Sequence, residues 1–165
     1  MKNLRDSRLK LLFDSEQLEG TKPDGLLVSA FWSPHPILPV ITKDTTHLYD
    51  WGNRDKHLRL PLTGWTKIES LSDGRWNWLK PMPAIIPALA GYENGVWFKI
   101  DGGIRGIVVT LNGQHRAYML TKAATDAYTK TTDHDRMPVF VKGDEAFSET
   151  IKTGKLLPPP DYKFS

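Results

Sequence analysis

Few residues in this chain of 165 could carry out covalent chemistry, and their types already exclude several reaction classes. The chain has no cysteine, which excludes disulfides, thiolate metal sites and a cysteine nucleophile. No serine lies in a Gly-x-Ser-x-Gly elbow, and no dinucleotide fingerprint, phosphate-binding loop or His-Glu-x-x-His motif is present. Four of the five histidines stand alone in polar or turn contexts, namely His35, His47, His57 and His115. Because a zinc site needs three or four convergent ligands, we predict no metal site and no cofactor.

Aromatic and basic side chains are interleaved between Trp51 and Lys80. This segment holds four of the six tryptophans and six basic residues but three acids: Trp51, Trp65, Trp76, Trp78, Arg54, Lys56, Arg59, Lys67, Arg75 and Lys80 against Asp55, Glu69 and Asp73. Bases stack on aromatic rings and basic side chains follow phosphates, so single-stranded or gapped DNA suits this composition. The alternative is that Trp51, Trp76 and Trp78 are core residues. We expect Trp51 in the core and Trp65 or Trp76 exposed in a cleft.

Short strands separated by turn signals make up most of the chain. Strands are predicted at 26–32, 40–42, 46–51, 84–88, 96–100, 104–111, 117–121 and 137–141. Helices are predicted at 4–19, at 123–130 with Thr121 as N-cap, and at 145–151, and residues 52–82 are predicted to be irregular. The pattern predicts one domain over residues 1–165, of the α+β class, β-rich, mostly antiparallel and with a few short helices.

Overall composition is typical of a soluble globular protein, with 39% hydrophobic and 25% charged residues. No apolar run approaches the roughly 20 residues of a membrane span, and the first residues lack the apolar region of a signal peptide. We therefore expect a cytoplasmic protein with no membrane partner. The net charge of +3 permits nucleic-acid binding but is too small to name a partner.

Two segments of the chain resemble the SRAP family (SOS-response-associated peptidase), whose members shield and cross-link abasic sites in single-stranded DNA. His134 opens a His-Asp-Arg-Met-Pro run that follows a strand ending in Thr121 and an alanine-bearing helix. The segment 84–93 is similar to the family's Ile-Pro-Ala segment, which ends in a catalytic glutamate six residues after the proline, here Glu93. Ser33-Pro34 with Pro39-Val40-Ile41, and Trp51-Gly52, resemble two further family segments. The resemblance is strongest over residues 28–142.

The resemblance implies that Glu93 and His134 share one pocket as catalytic residues. There the carboxylate would open the ring of an abasic sugar and the imidazole would shuttle the proton. The residues alone favour another interpretation, in which Glu93 is a solvated acid in a Tyr-Glu-Asn-Gly turn. For His134 the alternative is a helix-terminal or buried histidine bonded to the backbone.

The chain departs from the family pattern at the nucleophile. Lys2 stands where the family has the cysteine that traps the sugar aldehyde as a thiazolidine, so that stable product is excluded. A bulky lysine should also leave Met1 in place. Segment 65–69 replaces the family's Asn-Ala-Arg-Xaa-Glu and keeps a basic residue and the glutamate, and Asn94 replaces an aromatic residue. An amine from Lys2 or Met1 could still form a Schiff base that leads to strand cleavage, so enzymatic activity stays open.

Two functional hypotheses follow. In the first, the chain is an SRAP-like protein of the DNA-damage or SOS response that binds single-stranded or abasic-site DNA without stable cross-linking. Its predicted DNA-binding residues are Lys67, Arg75, Trp65, Trp76 and Arg136. In the second, it is a protein-interaction module of phage or prophage type that uses the same cleft to bind a repair or host protein. Arg136 is expected either to contact phosphate or to pair with Asp133 or Asp135.

Overall fold

The computed structural model describes residues 9–14, 26–43, 45–145, 147 and 163–164. The strands within those residues are β1 (Lys10–Asp14), β2 (Leu26–Ala30), β3 (Ile37–Thr42), β4 (Thr45–Trp51), β5 (Trp65–Lys67), β6 (Met82–Ile86), β7 (Ala90–Glu93), β8 (Val96–Lys99), β9 (Ile104–Leu111), β10 (Gln114–Ala123), β11 (Arg136–Pro138) and β12 (Lys163–Phe164). The helices are α1 (Ile68–Ser72) and α2 (Asp126–Thr132), and a 3₁₀ turn covers Asn77–Leu79. The predicted α+β class, rich in antiparallel strands, is confirmed.

The strands are arranged in two sheets. Five strands form one sheet in the order β12-β2-β1-β7-β8. Seven strands form the other sheet, which runs β11-β10-β4-β3-β6-β9 and carries β5 beside β10. This larger sheet closes on itself because β9 also pairs with β10, from Gln114 opposite Leu111 to Met119 opposite Gly106. Among the described strands, the parallel pairs are β4 and β5 with β10, and β12 with β2.

The main hydrophobic core takes side chains from both sheets. In β1, Leu11 and Phe13 belong to this core, whereas Leu12 between them packs with Val28 and Trp97 on the opposite face. Successive side chains of a strand point to opposite faces, so β1 is apolar on both. Burying each such side chain is worth roughly 1.5–3 kcal/mol, which fixes β1 in the interior of its sheet.

A second hydrophobic cluster covers the outer face of β9 and β10. Ile107 and Tyr118 face a long connection from which Leu60, Trp76 and Leu79 turn inward. The Tyr118 hydroxyl donates a 2.9 Å hydrogen bond to the Pro61 carbonyl. Burial raises the pKa of that phenol well above its usual value, so the hydroxyl stays protonated and can donate. The cluster ties the connection to the sheet.

Several local predictions of secondary structure are wrong. Lys10–Asp14 is a strand and not part of a helix, because β2 and β7 pair with it on both sides, and tertiary pairing of this kind overrides local propensity. The predicted irregular segment 52–82 contains β5, α1 and the 3₁₀ turn. Thr121 lies inside β10, and the N-cap of α2 is Thr125, whose hydroxyl oxygen accepts from the Tyr128 N–H.

Two tight turns with the sequence Asn-Gly join neighbouring antiparallel strands. Asn94-Gly95 and Asn112-Gly113 both adopt positive φ at each residue, as a tight two-residue hairpin turn requires. The first turn joins β7 to β8 and the second joins β9 to β10. Most of the predicted helices at 4–19 and 145–151 lies outside the described residues. In the part of the chain that the structure describes, no helix has the length and apolar character needed to cross a membrane.

Candidate functional site

Glu93 lies at the end of β7, immediately before the Asn94-Gly95 turn. Successive side chains of β7 point to opposite faces of the five-stranded sheet. Ala90 and Tyr92 pack with Leu12 of β1 on one face, so Glu93 points to the other face, towards the main core. The side chain is completely buried. The interpretation of Glu93 as a solvated acid in a turn is therefore wrong.

His134 follows α2 and is held by the end of that helix. Asp133 adopts a left-handed conformation with φ 62°, which ends the helix and turns the chain back towards the core. The Thr129 hydroxyl donates to the His134 carbonyl at 3.0 Å, and the Thr132 hydroxyl oxygen accepts from the His134 N–H at 3.3 Å. These two hydrogen bonds fix the backbone of His134 at its N–H and at its carbonyl. The residue is 2% exposed.

Glu93 and His134 are in direct contact. Oε1 of Glu93 lies 3.0 Å from Nδ1 of His134, and both side chains are almost fully buried. The 3.0 Å distance describes a close polar contact between the carboxyl group and the imidazole. The predicted approach of these two residues is confirmed, although both side chains are buried and do not line an open cleft.

The tyrosine of α2 borders this pair. Tyr128 is fully buried, and burial is the main cause that raises the pKa of its phenol well above the usual value. The negative charge of Glu93 raises this pKa further, because a phenolate would lie close to a carboxylate. The buried phenol of Tyr128 therefore stays protonated near the Glu93 carboxyl group.

Arg136 does not pair with Asp133 or Asp135. Its guanidinium binds both carboxylate oxygens of Glu69, at 3.3 and 3.0 Å, and donates to the Thr121 carbonyl at 2.9 Å. The guanidinium lowers the pKa of Glu69 through these hydrogen bonds. Arg136 thus joins β11, β10 and α1, and most of its donors are already used within the protein. Of the two alternatives for Arg136, the pairing with Asp133 or Asp135 is wrong, because Glu69 is the partner.

Lys67 and Arg75 flank α1 and are both exposed. Arg75 makes a loose 3.8 Å ion pair with Asp73, and its side chain remains 75% exposed. Its backbone N–H donates to the Ser70 carbonyl, which ties the position of Arg75 to α1. Both cations can therefore meet a phosphate at the surface without breaking a buried contact.

The tryptophans divide differently from the prediction. Trp51 is buried as expected, and its indole N–H donates to the Gly64 carbonyl at 3.0 Å. Trp65 is half-buried, with ring centroids 5.5 Å from Phe31 and 5.4 Å from Trp51. Trp76 is buried against Tyr118, with ring centroids 4.9 Å apart, so it cannot stack on a base. Because Trp76 packs in the cluster with Tyr118, the prediction that it is exposed in a cleft is wrong.

Trp78 is exposed, so the alternative that placed it in the core is wrong for this residue. Its exposed fraction is 58%, although it lies two residues after the buried Trp76. The spacing of Trp76 and Leu79, three residues apart and both buried, is the signal that could have found it. In a 3₁₀ turn residues three apart share a face, which leaves Trp78 on another side.

A shallow depression of about 260 Å³ lies beside the Trp51-Gly52 segment. Asp50 lies in its lining, 2.8 Å from His35 Nε2 and 3.2 Å from Arg116 Nη1. Sequence reasoning missed this cluster because its members come from three separate segments. Acidic and basic groups oppose each other here, so the depression carries no excess charge of one sign.

The remaining predictions concern an amine and a metal. Lys2, the proposed amine, lies outside the described residues, as does Met1. Within the described ranges no group of three or more His, Asp or Glu residues could hold a metal ion. No protein-family model, no curated protein and no solved structure matches the chain.

Proposed function

We propose that this chain is an SRAP-like protein that binds single-stranded DNA, including strands with an abasic site, without a stable covalent cross-link. The observation that carries the proposal is the contact between Glu93 and His134. These residues end or open the two segments on which the resemblance depends. A buried carboxylate and imidazole, brought together from separate elements, are the groups that acid–base work on a sugar would need.

A second contact supports the same proposal. Arg136 belongs to the His-Asp-Arg-Met-Pro run, and Glu69 belongs to the segment that resembles Asn-Ala-Arg-Xaa-Glu. Their bidentate ion pair joins these two distant segments. Two segments that lie far apart in the sequence and each resemble the family therefore meet in space, which supports the resemblance as a whole.

The DNA surface that we propose is centred on α1 and the residues that flank it. Lys67 and Arg75 are exposed, and the ion pair of Arg75 with Asp73 is an exposed one. Polyanions are attracted to such cations because counterions are released when phosphates are neutralised. Arg136, held by Glu69, has a structural part in this surface and is not counted among its phosphate ligands.

A labelled single-stranded oligonucleotide should bind the chain with an affinity that falls as salt rises. Lys67→Ala or Arg75→Ala should weaken binding and reduce the slope of log affinity against log salt by about 0.7–1 for each lost phosphate contact. Fluorescence anisotropy over a salt series measures both quantities. Lys99→Ala is the matched control, because Lys99 is exposed at the end of β8 in the other sheet.

Failure to bind at low salt would reject the DNA proposal. It would favour the protein-interaction hypothesis, in which a repair or host protein is the partner. Binding that is equally weakened by Lys99→Ala would show a diffuse charge effect and would reject the surface around α1.

Abasic single-stranded DNA should give no cross-link that survives denaturation, because no thiol is present to close a thiazolidine. An amine can attack the opened sugar aldehyde and expel water, and borohydride then reduces the imine to a stable secondary amine. If the pocket is active, borohydride should trap the chain, and Glu93→Gln should lower the trapping rate once its folding is verified by circular dichroism. Trapping no greater than that of an unrelated lysine-rich protein would make the chain a binder without chemistry.

A further inference from the structure

The 3₁₀ turn that follows α1 presents an exposed tryptophan on a well-anchored backbone. Trp76 and Leu79 turn inward and are 7% and 5% exposed, whereas Trp78 between them is 58% exposed. Among the large hydrophobic side chains exposed in the described part of the chain, Trp78 is the aromatic one. An indole exposed to water does not gain the favourable free energy of burial, so its exposure needs a physical reason.

Hydrogen bonding within the turn explains why Trp78 faces outward. Each successive bond spans three residues: Asn77 N–H donates to Gly74, Leu79 to Trp76, and Lys80 to Asn77, at 2.9–3.1 Å. Side chains three apart therefore share a side of the turn. Trp76 and Leu79 share the inner side, which leaves Trp78 on an outer side. The burial of Trp76 and Leu79 thus dictates the exposure of Trp78.

The surroundings of the turn keep this arrangement rigid. Trp76 packs edge-on against Tyr118, at an interplanar angle of 71°. The Arg75 N–H donates to Ser70 of α1, and Lys80 closes the turn in a left-handed conformation with φ 48°. The backbone that carries the exposed indole is therefore held in place before any ligand arrives. Preorganisation of this kind reduces the entropy that binding must overcome.

We propose that Trp78 is a stacking site for an unpaired nucleobase of single-stranded nucleic acid, with Arg75 and Lys80 contacting the adjacent phosphates. This inference rests on the proposed function and replaces Trp76 as the stacking residue. Charge favours a polyanion as the occupant, because exposed cations lie three residues before and two residues after the indole. The nearest acid, Asp73, is loosely paired with Arg75 at 3.8 Å and does not cover the ring.

Trp78→Ala should weaken binding of a thymidine oligonucleotide roughly 5- to 150-fold, the range found for loss of one base–aromatic stack. Its salt slope should match that of the wild type, because the indole carries no charge. Trp78→Phe should keep most of the affinity, since a phenyl ring still stacks. Leu62→Ala is the matched control, because Leu62 is 57% exposed and also lies in the connection that covers the outer face of β9 and β10. Fluorescence anisotropy measures each affinity.

A strand of the same length that carries a stable abasic residue at every position separates stacking from charge. This strand has phosphates but no bases, so the wild type and Trp78→Ala should bind it equally. Equal binding of the thymidine strand by both proteins would overturn the inference and leave the proposed function standing. An equal loss on the base-free strand would also overturn it, because stacking would not be the cause. A wild type that binds neither strand would reject the proposed function itself.

Discussion

Glu93→Ala is expected to lower the free energy of unfolding by about 1–3 kcal/mol, the usual cost of leaving a buried polar group without its partner. The carboxylate is fully buried and lies 3.0 Å from Nδ1 of His134. Truncation leaves the imidazole buried without this partner and also leaves a cavity where the side chain was. Urea denaturation at constant pH, followed by circular dichroism, measures the change.

Glu69→Ala is the matched control for this substitution. Glu69 also contacts a partner side chain, Arg136, but Glu69 is 54% exposed, while Arg136 is 16% exposed. Solvent screens the exposed carboxylate, so its removal should cost less than the removal of a fully buried one. A loss in Glu93→Ala no larger than that in Glu69→Ala would contradict the prediction that burial makes the Glu93 contact costly to break.

His134→Ala and the double variant complete a mutant cycle. Residues in contact are not independent, so the double variant should lose less than the two single losses added together. Once Glu93 is absent, removing His134 also removes the unpartnered group that made the first change costly. Simple addition of the two losses would contradict direct coupling between these side chains.

Local sequence signals predicted the elements that are governed by short-range chemistry. Asn94-Gly95 and Asn112-Gly113 mark tight turns, because these residues tolerate positive φ. The strand predicted at 104–111 agrees with β9, where apolar β-branched side chains are buried on both faces. In these places the local preference and the tertiary environment require the same conformation.

Long-range contacts decided the features that the sequence could not predict. The residue types around Glu93 are typical of a polar turn. The sequence of this segment does not indicate which group would accompany a buried carboxylate. That partner, His134, comes from the far end of α2. Composition likewise could not separate Trp76 from Trp78, because their difference depends on a three-residue hydrogen-bond pattern packed against Tyr118. The Glu93–His134 proximity was predicted only through the family resemblance.

Gly52→Ala is expected to destabilise the fold strongly, for a reason that is independent of DNA. Gly52 adopts φ 63°, a conformation that costs a residue with a Cβ atom about 1–2 kcal/mol. A Cβ there would also lie 2.6 Å from Gly64 Cα and would collide with the Thr63 carbonyl oxygen. Displacing that backbone adds about 1–3 kcal/mol. Thermal and urea unfolding measure the total.

Gly113→Ala separates the two costs. Gly113 adopts φ 77°, yet a Cβ there would meet nothing within 4 Å, so this variant should show the conformational cost alone. Gly52 cannot move away easily, because its N–H donates to the Ala117 carbonyl at 2.7 Å and the next residue, Asn53, donates to Thr63. Equal losses of unfolding free energy in the two variants would show that the backbone at Thr63 moves to accommodate the added Cβ atom. A larger loss in Gly52→Ala would mean that the close approach of these two backbones requires glycine in the Trp51-Gly52 segment, whatever ligand the protein binds.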